Sequence, residues 1–299
     1  MSSSTYKSFA IIGATGHIGK HISAALHGQT ATSSIVVITR TSSSSADAIA
    51  PSPKVKIAKV EDYKNVEGVA AILRAHYIEV LISAANWKTK EGIRTEETAL
   101  VDAAHAAGVK LFVPSEFGVP TLDALMSLLK AKDDVAKHMK EIGLPSARFF
   151  TGQFVSWIPI TLGYPSMGKV NLVVGTGNTP ASFTADEDVG GFVTHVLTTL
   201  LPSELHDRIF RIEGERISYG EIAARVGLPV VRVETVPADS EELSQFCMIL
   251  QKVREQGYGS MGWDHVLKKD NAESAAGANA LWMGHEWRKV SKEDFVKTV

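Results

Sequence analysis

Gly13, Gly16 and Gly19 recur at three-residue spacing in Ile12-Gly13-Ala14-Thr15-Gly16-His17-Ile18-Gly19, directly after the apolar run Phe9-Ala10-Ile11-Ile12 and before a helical pattern. Glycines between a strand and a helix let the main chain come close to an anion. Gly13 can take backbone angles that a side chain forbids. Gly16 admits a phosphate next to the backbone, and Gly19 lets helix and strand pack tightly. The helix N-terminus then offers unpaired N–H groups and the positive end of its dipole. Thr15, His17 and Ile18 belong to the same cradle, His17 through its backbone N–H. The segment predicts a nucleotide-pyrophosphate site, a Gly-x-x-Gly-x-x-Gly variant of the commoner Gly-x-Gly-x-x-Gly fingerprint. The alternative is a tight turn with no ligand.

The end of the second apolar run decides which dinucleotide fits. A carboxylate there would bind ribose hydroxyls. This chain has Arg40, then Thr41 and Ser42. A guanidinium beside hydroxyls suits a 2′-phosphate, since Arg–phosphate pairs are strong and directional. The prediction is NADP(H), against the alternative that Arg40 is a solvated strand-end residue. At the end of the fourth run, Ser83-Ala84-Ala85 are small enough for a cofactor to lie across the carboxyl ends of the strands, or simply for close packing.

These residues need a framework. Strands are expected at Phe9–Gly13, Ile35–Thr39, Val55–Val60, Val80–Ala84, Leu111–Pro114 and Ala147–Phe150, with helices at His17–Leu26, Val66–His76, Gly92–Ala107 and Leu122–Ile142. Glycine caps at Gly108 and Gly143 end two of the helices. Strand and helix alternating in this way give the α/β class, a Rossmann-type doubly wound parallel sheet with right-handed crossovers. The second half predicts a short helix over Val155–Leu162 kinked by Pro159, helices at Asp186–Leu201, Tyr219–Val226 and Glu241–Gln256, and strands at Ile209–Ile212 and Val230–Val236. The stretch Gly257–Gly284 is expected to be a loop with apolar anchors rather than a lid. The expected organisation is a dinucleotide-binding domain over 1–153 and a smaller α/β substrate-binding region over 154–299, partly interleaved with the first.

Bulk properties exclude several classes. The 299 residues are 44% hydrophobic with a formal net charge of −2, which argues against nucleic-acid or membrane partners. Cys247 is the single cysteine, and the N-terminus carries no signal-peptide pattern, so a soluble cytoplasmic location is expected. No metal site is predicted: His17 and His21 lie four apart without a third ligand, and His-Glu-x-x-His and Cys-x-x-Cys do not occur. Gly-x-Ser-x-Gly and the kinase signatures are also missing.

The fifth strand runs into Val113-Pro114-Ser115-Glu116-Phe117-Gly118. Together with the glycine segment, Arg40, Leu100 to Lys110, and Phe183-Thr184-Ala185 with Asp188-Val189, this closely resembles the NmrA-like, isoflavone-reductase-like branch of the short-chain dehydrogenase superfamily, to about Leu201. The Tyr-x-x-x-Lys of most short-chain dehydrogenases does not occur. The resemblance implies instead a lysine thirteen residues before the Pro of a Gly-x-Pro. That lysine is Lys132, near the nicotinamide ribose and the substrate, taking part in proton transfer. Such a role requires burial or nearby cations to lower its pKa; a solvated helix lysine is the alternative. The resemblance also puts Ser115 and Phe154 beside the nicotinamide; the alternative for Ser115 is a cap on the following segment. Phe117 either flanks cofactor and substrate or packs in the core, and Trp157 and Tyr164 either wall a substrate pocket or belong to the core. The implied function is an NADPH-dependent reductase of small aromatic or phenolic molecules. The alternative is a dinucleotide-binding regulator without catalysis, as some NmrA-like proteins are. Oligomeric state is left open.

Overall fold

The computed structural model describes residues 4–45, 49, 51–87 and 89–296. The order of elements is β1 (Ser8–Ile12), α1 (Gly19–Gly28), β2 (Ser34–Arg40), β3 (Val55–Val60), α2 (Val66–Ala75), β4 (Val80–Ser83), α3 (Lys90–Gly92), a π-helical turn (Ile93–Glu97), α4 (Thr98–Ala107), β5 (Leu111–Val113), α5 (Ser127–Glu141) and β6 (Ala147–Phe150). There follow β7 (Gln153–Phe154), α6 (Ile158–Thr161), α7 (Tyr164–Met167), β8 (Val170–Leu172), β9 (Ala181–Thr184), α8 (Asp186–Thr199), α9 (Pro202–Leu205), β10 (Arg208–Arg211), β11 (Glu215–Ile217), α10 (Tyr219–Val226), β12 (Val230–Arg232) and α11 (Glu241–Glu255). The chain divides into two compact units. One takes Met1–Phe117, Thr121–Phe149 and Val189–Phe210; the other takes Gly118–Pro120, Phe150–Asp188 and Arg211–Val299.

The first unit is built on a parallel sheet in the order β3-β2-β1-β4-β5. Phe112 adds a parallel bridge to Ser146 just before β6, and β10 pairs with β6. The order reverses between β1 and β4, which opens a crevice at the carboxyl ends of those strands. All five residues of β1 are buried, as are all four of β4, because helices cover both faces. Ile12, Val36, Leu81 and Phe112 meet Val69, Leu73, Leu100 and Val135 in one core. Phe149 stacks on Phe210 at 4.9 Å between ring centroids.

Capping sets several helix ends. Asn65 accepts from the Gly68 N–H at the start of α2. Gly108 takes the left-handed conformation at the end of α4 (φ 71°) and Gly143 does so beyond α5 (φ 74°), as expected. Two helices start later than predicted. α1 begins at Gly19 rather than His17, because residues 13–18 form the turn. α5 begins at Ser127 rather than Leu122, since Asp123 takes a positive φ of 54° and Met126 is extended.

The second unit centres on a sheet in the order β11-β9-β7, antiparallel between β9 and β11 and parallel between β7 and β9. Phe183, Ile217, Tyr219, Ile222, Val170 and Leu172 form its core. β7, β8, β9 and β11 escape a periodicity reading because each has only two to four residues. Pro159 does not kink a helix: it sits in the first turn of α6, after a 3₁₀ turn, where its missing N–H has no partner to lose. The expected strand over Val230–Val236 stops at Arg232, the end of its pairing with β8. The predicted loop over Gly257–Gly284 is corrected: it contains a hairpin, β13 (Trp263–Asp264) and β14 (Lys269–Asp270), and a short helix α12 (Ala272–Ala275). Among the described residues no helix is long and apolar enough to cross a membrane.

One close contact in the first unit tests this packing. A β-carbon at Gly190 on α8 would lie 2.6 Å from the carbonyl carbon of His21 on α1. Gly190→Ala is therefore expected to destabilise by about 1–3 kcal/mol, lowering the melting temperature by several degrees in calorimetry. An unchanged transition would show that α1 and α8 do not pack this closely.

Candidate active site

The site starts at the turn leaving β1. Gly13 has φ +75°, and a β-carbon there would stand 2.7 Å from the Ala84 carbonyl oxygen. A β-carbon at Gly19 would run into the Gly13 carbonyl. These two positions need glycine for conformation and close approach. The Gly16 N–H donates to the Gly13 carbonyl at 2.9 Å and closes the turn. Ala14 and Ile18 are buried and anchor the turn, whereas Thr15, Gly16 and His17 are exposed at the mouth of α1. No side chain caps the start of α1 at Ile18.

Arg40, at the carboxyl end of β2, lines a cavity of about 360 Å³ together with Gly13, Tyr63, Ala85, Asn86, Trp87 and Glu96. Its guanidinium lies 4.5 Å from the centre of the Tyr63 ring and pairs with Glu96. Tyr63 and Trp87 meet edge to face at 6.4 Å. A smaller adjoining hollow is lined by Thr15, Thr39, Ser43 and Ser45 beside Arg40. Thr41 and Ser42 line neither; the Thr41 N–H donates to the Val60 carbonyl.

At the end of β5, Ser115 joins this cavity to α5. Its hydroxyl donates to the Ala85 carbonyl at 2.7 Å and its N–H to Glu97 Oε1 at 2.9 Å. Its carbonyl accepts from Lys132 Nζ at 2.5 Å. Glu97, buried, also accepts from the Ser83 hydroxyl at 2.7 Å and from the Trp87 indole N–H. Burial pushes the Glu97 carboxyl above the usual range, against the opposing pull of these donors and of Lys132. Burial pushes Lys132 below an ordinary lysine, although Glu116 and Glu97 favour its charge.

A second buried network braces the same loop. Arg148 on β6 donates to Glu116 at 2.6 and 2.9 Å, to the Thr121 hydroxyl at 2.7 Å and to Asp133 at 3.4 Å. Burial works against the Arg148 charge, but the carboxylates outweigh it and raise its pKa. Phe117, half-buried, stacks on Phe149 at 6.2 Å.

The remaining expected site residues lie in the second unit. Phe154, half-buried, pairs with Thr184 between β7 and β9. Trp157 packs edge to face on Phe246 of α11 at 6.0 Å. Tyr164 does so on Phe295 at 5.1 Å, against the second core.

The model of the NmrA-like family matches residues 5–250. The chain belongs to the NmrA-like family. The match runs well past Leu201, where the sequence motifs stop. Among the relatives of this NmrA-like protein, an oxidoreductase from Botryotinia fuckeliana (BOA1) is 30% identical over 228 residues, 71% of this chain and 72% of that one. A phenylcoumaran benzylic ether reductase from Pinus taeda is 27% identical over 236 residues, 72% of each chain. Among solved structures, the NADPH complex of leucoanthocyanidin reductase from Vitis vinifera superposes with a TM-score of 0.72 at 21% identity, covering 97% of this chain and 99% of that one. Triphenylmethane reductase from Citrobacter sp., complexed with NADP(H), gives 0.75 at 15% identity, covering 98% and 100%. At these identities the structural matches show the fold of the NmrA-like chain.

Sequence reasoning missed Glu97, Glu96, Tyr63, Trp87, Thr121, Asp133 and Arg148. Glu116 stands inside the quoted motif, but no spacing links it to Arg148, which is 32 residues away. Arg148→Ala leaves two buried carboxylates without their guanidinium. It is expected to cost about 3–5 kcal/mol in urea unfolding, with Arg148→Lys recovering only part because an ammonium cannot match the fork. A loss below about 1 kcal/mol would mean that the network does not brace the fold.

Proposed function

We propose that the protein is an NADPH-dependent reductase acting on a small aromatic or phenolic molecule, with Lys132 as its proton-handling group. The observation that carries this reading is the row Gly13, Ala85, Ser115, Lys132. The glycine turn lies against Ala84 and Ala85, Ser115 donates to Ala85, and Lys132 donates to Ser115, all at the carboxyl ends of β1, β4 and β5. Open α/β sheets bind their ligands at that edge.

The residues fit the cofactor. A β-carbon would fill the cradle at Gly13, no side chain caps the start of α1, and Arg40 brings a guanidinium to the same cavity. Gly13, Thr15, Gly16, His17, Ile18 and Gly19 would hold the pyrophosphate, and Arg40 a 2′-phosphate, with Ala84, Ala85, Ser115 and Phe117 along the path to the reacting end. Bound NADPH supplies the hydride. The chain's own part is to orient, to exclude water and to move a proton. Ser115 fixes the ammonium of Lys132 through its carbonyl, and burial makes that ammonium more willing to release its proton than a surface lysine. The solved NADPH and NADP(H) complexes of the same fold support the cofactor. The Pinus taeda relative, named a phenylcoumaran benzylic ether reductase, supports reduction of a phenolic compound. Phe154 is proposed as a cofactor-contacting residue, and Trp157 and Tyr164 as substrate-contacting residues.

The test is oxidation of NADPH, followed by absorbance, against a panel of aromatic ketones, enones, quinones and benzylic ethers. Lys132→Ala is expected to lower turnover by about 10²-fold or more while cofactor affinity is kept. Tight binding with no turnover across the panel would favour a regulator instead. The pH profile gives a second check. As a proton donor Lys132 must be charged, so the rate should fall as pH rises through its lowered pKa. Glu97→Gln removes a carboxylate that favours the charged form, and the alkaline limb should move to lower pH. A limb that stays in place would separate Glu97 from the lysine.

A further inference from the structure

Arg40 does not stand alone in its cavity. The π-helical turn Ile93–Glu97 carries two successive glutamates to different destinations. Glu97 turns into the protein towards Ser83 and Ser115, while Glu96 turns into the cavity and pairs with Arg40. An extra residue in a helical turn changes which side chains share a face, and such turns are frequent at functional sites. The Glu96 side chain keeps 23% exposure and that of Arg40 keeps 40%, so both charges can be reached by a solute. The neighbouring charges are engaged elsewhere: Arg94 faces Asp134 at 3.5 Å, and Lys130 pairs with the same aspartate at 2.6 Å. A cation and an anion therefore share one cavity wall, over the Tyr63 ring and beside Gly13.

We propose that Glu96 is a specificity-determining residue of the dinucleotide site, competing with a 2′-phosphate for Arg40 and accepting the ribose hydroxyls of the unphosphorylated dinucleotide. The proposal rests on the cofactor reading above. A phosphate dianion arriving at Arg40 takes the place of Glu96 on the guanidinium and meets the carboxylate's like charge. A ribose with a free 2′-hydroxyl meets instead an acceptor, the same chemistry that a strand-end carboxylate supplies in sites for the unphosphorylated dinucleotide. One wall thus serves both nucleotides. Arg40 draws the phosphorylated form, and Glu96 narrows the preference and keeps NADH in use.

The experiment is titration of the full chain with NADPH and with NADH, followed by nicotinamide fluorescence or calorimetry, with no substrate present. Glu96→Gln should tighten NADPH and weaken NADH, widening the ratio of their affinities by about tenfold. Glu96→Ala, read the same way, guards against an effect of the new amide. Both variants lose a partly exposed ion pair and are expected to fold. A ratio that is unchanged or shifts towards NADH overturns the proposal and leaves the pair as an ordinary surface ion pair. Arg40→Ala separates the two levels of argument. If it weakens NADPH while the glutamate variants do nothing, this inference alone fails. If it leaves NADPH affinity equal to that of the native chain, the cofactor reading of the cavity fails with it.

Discussion

The Ser115 peptide is held from both sides by charge. Its N–H points at the carboxylate of Glu97 and its carbonyl at the ammonium of Lys132, while its hydroxyl reaches the next loop at Ala85. One residue at the end of β5 thereby joins the helix before that strand, the helix after it and the loop beyond β4. Glu97 is buried and Lys132 and Ala85 are partly so, and a buried carboxylate without its partner is costly. Buried ion pairs contribute little net stability against apolar replacements, but they penalise alternative geometries. The loop that carries Ser115 to Phe117 is accordingly set by electrostatics, with apolar packing supplied beneath it by Phe149, Phe210 and the residues of the main core.

The second network serves the same loop from below. Glu116 accepts from Arg148 and the Thr121 hydroxyl, and Arg148 also reaches Thr121 and Asp133. Ser115 meets Lys132 through its main-chain carbonyl, while the side chain of Glu116 meets Arg148. α5 contributes to both networks through Lys132 and Asp133, which are also consecutive. The π-helical turn uses the same device with Glu96 and Glu97. In three places, then, adjacent polar residues go to different partners.

The nucleotide end depends on close backbone approach. The strand order reverses between β1 and β4, so the Gly13 turn and the Ala84–Ala85 backbone stand side by side with no room for a side chain between them. The resulting surface is main chain and small residues along the crevice, with Arg40, Tyr63 and Trp87 forming the polar and aromatic wall at its far side. The leucoanthocyanidin reductase from Vitis vinifera shares this fold.

Much of this was legible in the sequence, for local reasons. The glycine spacing, the apolar runs of the parallel strands and the caps at Gly108 and Gly143 depend on backbone conformation and burial within a few residues. The sequence therefore determined the α/β class, the position of the glycine turn and the placing of Arg40 at a strand end. The short strands of the second unit were not legible, since two to four residues carry no period. Nor were the partners of the charged residues. Glu97 lies 14 residues from Ser83 and 18 from Ser115, Arg148 lies 32 from Glu116, and Glu96 lies 56 from Arg40. Which carboxylate meets which cation follows from strand register, from the extra residue in the π-helical turn and from the late start of α5. Those choices are made by packing of the whole unit, so only the tertiary structure decided them.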